Sequence, residues 1–298
     1  MSKYIVRDEE GMPFKMQFGS LVSEERLDEA NRVFADSFKK ILSRYIPENV
    51  EIIFDRLSQQ INTANEYVAG RNTISLDPFY SGNYRLRISR LFNEGAQKAF
   101  SSLVGSDGIS IDKQINVIPN GHYVVVEDDS VAVETIREII RNLKPGQILQ
   151  DEILKNKYCQ SNSLMNIISQ LRKGIIVDDV YVLSRHYEDA FDTVDLRDFI
   201  LGVPYSGLVV NNNLSQTMRK PYIYPFVDVS SRANICKDKQ KEFSQEIILL
   251  NIKIYEEYIS MCKVEDTADS FRAFVRYALN MDCGRMVEIC SRLLEMCK

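Results

Sequence analysis

Tryptophan is absent from the 298-residue chain, and histidine occurs only twice, as His122 and His186. No His-x-x-His, Gly-x-Ser-x-Gly or metalloprotease signature is present, which removes the common zinc and serine hydrolase chemistries. His186 and Cys159 could serve as a base and a nucleophile, but nothing in the sequence requires them to meet. Only 13 glycines occur, and none builds a long phosphate-binding loop of the Walker or dinucleotide type. The six cysteines include no Cys-x-x-Cys pair, so neither a zinc ribbon nor a redox pair is expected. Cys283, Cys290 and Cys297 recur every seven residues, which puts Cys290 and Cys297 on one helical face, and they read as small core residues. No apolar run approaches the roughly 18 residues that a membrane span needs. The amino terminus is charged and lacks a signal-peptide core, so a cytoplasmic protein is expected. A net charge of −5 argues against a nucleic-acid surface and against a polybasic membrane patch.

The residues present are those of an ordinary globular protein, 45% hydrophobic and 27% charged, in a chain long enough for two domains or one large one. One stretch organises it. Asn120 and Gly121 signal a turn, and Tyr123, Val124, Val125 and Val126 form an apolar run suited to a strand buried on both faces. Glu127, Asp128 and Asp129 arrive together at its end. After Ser130 the period changes, and Val133, Ile136, Ile139, Ile140 and Leu143 share a helical face. The pattern reads strand, acidic loop, helix. In open α/β sheets, ligands sit outside the carboxyl ends of such strands.

This stretch resembles the phosphoribosyl-pyrophosphate (PRPP) signature of type I phosphoribosyltransferases. Val124 to Val126 correspond to the end of the strand, Glu127 and Asp128 to the acid pair, and Ala132-Val133-Glu134-Thr135 to the Thr-Gly-x-Thr segment. The resemblance implies an α/β domain with a mainly parallel sheet flanked by helices. It implies that Glu127 and Asp128 bind ribose hydroxyls, and that Ser130, Ala132 and Thr135 lie in the loop that holds the 5′-phosphate. Mg2+ is the implied cofactor, with Asp128 as a candidate ligand, and Asp129 joins Glu127 and Asp128 among the implied substrate-binding residues. The segment departs from the family where valine and alanine replace its glycine and first threonine, and where Glu134 adds a negative charge beside the expected phosphate. Glycine lets backbone approach phosphate closely, and valine does not do so readily.

Two other readings stand beside this one. In the first, the phosphoribosyltransferase fold has lost catalysis and serves as a binding or regulatory partner. In the second, the strand and its acids resemble the start of a response-regulator receiver domain, with Asp178 or Asp179 as the second acid.

Elsewhere, residues 1–20 read as irregular chain or a short hairpin, with Gly11 and Pro13 as breakers. Residues 24–45 read as a helix. Arg85 and Arg87 alternate in a stretch rich in turn formers, and such arginines suit a diphosphate or a carboxylate. Residues 91–103 read as a helix, 175–183 as a buried strand and 192–202 as a short helix or turn. Residues 206–220 read as a hairpin. Lys220 to Arg232 reads as an extended connection whose alternating Tyr222, Tyr224 and Phe226 either stack a planar base or plug the core. From Gln240 the pattern is helical.

The expected organisation is a phosphoribosyltransferase-like α/β domain over 20–210, a connection over 211–239 and a helical region over 240–298. The expected function is transfer of ribose 5-phosphate from PRPP, or from a related nucleotide, to a base or similar acceptor. A homo-oligomer or protein partner would use the C-terminal helices.

Overall fold

The computed structural model describes residues 2–92, 100–105, 109, 111–127, 175–183, 190–211 and 217–298. In chain order these form β1 (Ser2–Asp8), α1 (Met12–Phe18), α2 (Glu24–Leu42), β2 (Val50–Arg56) and α3 (Leu57–Tyr67). Then come β3 (Thr73–Ser75), β4 (Tyr84–Arg85), β5 (Ile88–Phe92), β6 (Phe100–Gly105), α4 (Ile111–Asn116), β7 (Gly121–Glu127) and β8 (Ile175–Val182). Next are β9 (Ala190–Asp195), a 3₁₀ turn over Leu196–Phe199, β10 (Leu208–Asn211), β11 (Thr217–Lys220) and a short helix, Val229–Ala233. Three helices follow, Gln240–Glu257, Asp269–Leu279 and Met286–Met296. The chain is thus α/β, with parallel sheets, flanking helices and a helical C-terminal region. No helix among the described residues is long and apolar enough to cross a membrane.

The chain divides into two compact units, residues 1–58 with 187–298, and residues 59–186. In the first, β1 lies between β2 and β9 in a parallel sheet. Tyr4 and Val6 turn one face of β1 into a core that includes Phe34 and Phe38 of α2 and Phe243 and Ile247 of the Gln240–Glu257 helix. The helical spacing of Leu27, Ala30, Phe34, Phe38 and Ile41 puts all five on the buried side of α2. Phe199 joins the two helices, with ring centroids 4.8 Å from Phe38 and 5.8 Å from Phe243. Cys262, Cys290 and Cys297 are buried free thiols in the same core, and burial raises the pKa of each, whereas Cys283, before the last helix, is exposed rather than in the core.

Buried Asn251 fastens the helical region to the turn after β9. Its side-chain oxygen accepts from the Leu201 N–H at 2.9 Å, and its amide donates to the carbonyls of Phe199 and Ile247, each at 2.9 Å. Asn251→Ala is expected to lower the unfolding free energy by about 1–3 kcal/mol, because buried backbone groups lose their partners. Urea unfolding of parent and variant measures this, and a change below 0.5 kcal/mol (about the scatter of surface substitutions) would contradict it.

In the second unit, β4, β3, β7 and β8 lie side by side in that order, all parallel. Val124 and Val126 pack with Ala64 and Val68, while Val125 on the opposite face of β7 is also fully buried. The apolar run at 123–126 therefore lies in a strand covered on both sides.

Several local expectations change. Residues 2–18 form β1 and α1 rather than irregular chain: Tyr4, Ile5 and Val6 supply a buried strand, and Gly11 and Pro13 punctuate the turn after it. Gly11 there has φ 80, the left-handed backbone that favours glycine. Residues 88–105 contain β5 and β6 in antiparallel pairing, not a helix. Apolar runs this short fit either period, and the partner strand decides. Of the short helix or turn expected over 192–202, residues 192–195 belong instead to β9, paired with β1, while Leu196–Phe199 do form a 3₁₀ turn. Of the hairpin read over 206–220, the two strands β10 and β11 pair antiparallel, with Asn211 in β10 rather than in the turn, and residues 212–216 lie outside the described ones. Beyond Lys220 the chain turns and enters the Val229–Ala233 helix instead of remaining extended. Tyr222 and Phe226 pack against the core, and Phe226 meets Phe274 edge to face at 5.0 Å, while Tyr224 stays exposed.

Candidate functional site

The strand order of the second unit reverses between β3 and β7. From β3 the chain moves outward to β4, then returns past β3 to β7 and onward to β8. Such a reversal leaves a crevice outside the carboxyl ends of the two diverging strands, and ligands of open α/β sheets bind there. Glu127 is the last residue of β7. The Leu76 N–H donates to the Val126 carbonyl at 2.8 Å, so the chain leaving β3 runs beside Glu127.

The loop after β3 is held by its own side chains. Asp77 is fully buried, and one of its oxygens accepts from the N–H groups of Phe79 and Tyr80, each at 2.7 Å. The Ser75 hydroxyl donates to the Asp77 carbonyl at 2.9 Å. Asn83 returns to Thr73: its side-chain oxygen accepts from the Thr73 N–H at 2.8 Å, and its own N–H donates to the Thr73 hydroxyl at 3.0 Å. A Cβ on Gly82 would stand 3.0 Å from that hydroxyl, so glycine suits the close return of the chain.

Arg85 ends β4, beside β3, and its guanidinium donates to the Tyr80 carbonyl at 3.2 Å. Arg87 lies past the end of β4, exposed, with its backbone bracketed by Gln114. The two arginines therefore do not share one strand. The structure brings Arg85, Asp77 and the strand end at Glu127 to one edge. Asp128, Asp129, Ser130, Ala132, Val133, Glu134 and Thr135 lie outside the described residues, as do Cys159 and His186.

Asp178 and Asp179 lie within β8, and Asp179 stands opposite Val124 rather than opposite Glu127. Asp178 pairs with exposed His122 at 2.8 Å, and Asp179 accepts from the Tyr67 hydroxyl. A receiver-like arrangement needs its second acid at the strand end, about 10 Å farther along β8 at some 3.3 Å per residue. Among the described residues, no group of three or more His, Cys, Asp or Glu side chains is placed to hold a metal ion.

The first unit contains a charged cluster that periodicity did not reveal. Glu9, just beyond β1, is 2% exposed and accepts from Arg197 at 2.7 Å. Arg197 also reaches Asp195 at 3.1 Å. Arg232 reaches Asp195 at 3.2 Å and donates through Nε to Asp198 at 2.7 Å. Burial pushes the Glu9 carboxyl up to about 8, against the attraction of Arg197. Burial also opposes the charge on Arg232, but Asp198 and Asp195 outweigh it and raise its pKa. The available sequence signal was that charged residues stand at the ends of β1, β2 and β9: Arg7-Asp8 with Glu9 just beyond, Asp55-Arg56 and Asp195.

No protein-family model, curated protein or solved structure matches the chain.

Proposed function

We propose that the second unit is a phosphoribosyltransferase-like domain that binds PRPP or a related nucleotide and transfers ribose 5-phosphate to a base or similar acceptor. The supporting observation is the place of Glu127, at the carboxyl end of a central parallel strand where the strand order reverses. In this reading Glu127 and Asp128 orient the ribose through its hydroxyls. Residues 130–135 hold the 5′-phosphate, and Arg85 and Arg87 face the diphosphate. Little protein acid–base chemistry is needed. As the leaving group departs, the anomeric carbon becomes cation-like, and placed charges control the barrier. Magnesium, which binds through few carboxylates and through substrate phosphates, would supply charge neutralisation on the diphosphate. Asp128 is the residue proposed to face it.

Val133 and Glu134 favour a second reading, in which the same fold binds no phosphate and acts as a partner-binding protein. Calorimetric titration with PRPP, with and without magnesium, separates the two. Saturable, magnesium-dependent binding by the parent is expected, and the Glu127→Ala/Asp128→Ala double variant is expected to lose it while unfolding at the parent's midpoint. Absence of binding by the folded parent would overturn the transferase reading and favour the second.

A further inference from the structure

We propose that Asp77 is a positioning residue of the candidate site in the second unit, holding the loop after β3 so that Arg85 is aimed at the diphosphate of the ligand. This inference rests on the reading of that site as one for PRPP or a related nucleotide, and it names the residue that orients the diphosphate contact.

Distance sets the roles. Ser75, the last residue of β3, stands opposite Arg85 on one side and opposite Val126 on the other. Arg85 is thus two strand spacings, about 10 Å, from the end of β7. A ribose whose hydroxyls meet Glu127 would carry its diphosphate across that gap towards β4. On the far side stands the half-buried Arg85 guanidinium, which donates to the Tyr80 carbonyl at 3.2 Å. Among the described residues no carboxylate pairs with it. A guanidinium has five donors, and one held by a carbonyl without a counter-ion suits a bidentate phosphate-type partner.

The carbonyl that holds Arg85 is itself held by Asp77. That carboxylate is fully buried, and its Oδ1 accepts from the N–H groups of Phe79 and Tyr80, each at 2.7 Å. The two bonds fix the peptide units on the way into Tyr80. On the way out, the Gly82 N–H donates to the Tyr80 carbonyl at 3.2 Å, and the Tyr80 hydroxyl donates to Asn65 of α3 at 3.1 Å. The far end of the loop is closed separately, by Asn83 on Thr73. Removing the Asp77 carboxylate therefore leaves the closure in place but releases the two N–H groups that set the direction of the Tyr80 carbonyl. The Arg85 side chain then loses its fixed aim, and a binding group is effective only while its support holds it in the productive geometry.

The test is calorimetric titration of the full chain with PRPP and magnesium and, separately, with ribose 5-phosphate, which lacks the diphosphate. Asp77→Ala and Arg85→Ala are each expected to bind PRPP roughly tenfold more weakly, the scale of one charge-assisted hydrogen bond, and to bind ribose 5-phosphate as the parent does. The double variant is expected to bind PRPP no more weakly than Arg85→Ala alone, because both changes remove the same interaction. Where ribose 5-phosphate binds too weakly to measure, the double variant decides. Asp77→Asn keeps the accepting oxygen and is expected to bind PRPP at least as tightly as the parent. Should Asp77→Ala fail to fold, Asp77→Ser, whose hydroxyl accepts from one of the two N–H groups, is read in its place and gives an intermediate loss. Equal losses for the two ligands, losses that multiply in the double variant, or a loss in Asp77→Asn as large as in Asp77→Ala would overturn the proposal. If the folded parent binds neither ligand, the reading of the site fails and the proposal with it. If PRPP binds the parent and Asp77→Ala equally, the proposal alone fails.

Discussion

Arg197→Ala is expected to lower the unfolding free energy by about 3–5 kcal/mol, the usual cost of removing one partner from a buried ion pair. Its guanidinium meets Glu9 at 2.7 Å and Asp195 at 3.1 Å, and both Arg197 and Glu9 are nearly inaccessible to water. The deficit depends on pH with a definite sign. Burial raises the Glu9 carboxyl from its ordinary 4.5 to about 8 in the folded chain. The folded state therefore holds this proton more tightly than the unfolded state. The associated stability is fully present below pH 4.5 and is lost as pH rises through about 8. In the variant an ionised Glu9 has lost Arg197, so the deficit grows towards high pH and shrinks where the acid is neutral. Denaturant unfolding at pH 5 and pH 9 measures both terms. Adding Glu9→Gln to Arg197→Ala should restore part of the loss at pH 9. Equal losses at the two pH values, with no recovery in the double variant, would show that Glu9 and Arg197 are not coupled.

Phe38→Ala is expected to cost a similar 3–5 kcal/mol, by a different mechanism. The ring is fully buried between α2, the 3₁₀ turn after β9 and the Gln240–Glu257 helix, with Phe199 at 4.8 Å and Phe34 stacked at 6.5 Å. Alanine keeps the helix backbone favourable, so the loss reports the cavity and the lost apolar burial rather than helix propensity. Phe38→Leu, which retains most of the volume, should lose clearly less. Unlike the loss at Arg197, this one should be nearly the same at pH 5 and pH 9. A deficit below 1 kcal/mol in Phe38→Ala would mean that the core collapses around the missing ring.

Of the candidate site in the second unit, the strand end was legible. Four consecutive apolar residues at 123–126 can be accommodated only where both faces are covered, and Val124, Val125 and Val126 are all fully buried. Arg85 was legible as a cation near a strand end, but its distance from Glu127 was not. Ser75 pairs with Arg85 on one side and with Val126 on the other, and the sequence does not state which strand lies between two others. The loop built by Asp77 was not recognised as part of the site. Its buried carboxylate looks, in sequence, like any Asp-Pro turn.

The sequence by itself determined the elements whose signals are local. These are the stripe of α2, the antiparallel strands β10 and β11, the C-terminal helices with buried Cys290 and Cys297, and the apolar strand that ends at Glu127. Each rests on periodicity or turn chemistry within a few residues, and that information survives in one dimension. Only the tertiary structure decided what depends on distant partners. It paired β5 with β6, where a short apolar run had suggested a helix. It placed β1 between β2 and β9, and it brought Glu9 to Arg197 across 188 positions of chain. A charge shows its sign in the sequence, but its burial and its pairing arise only when remote strand ends converge and exclude water.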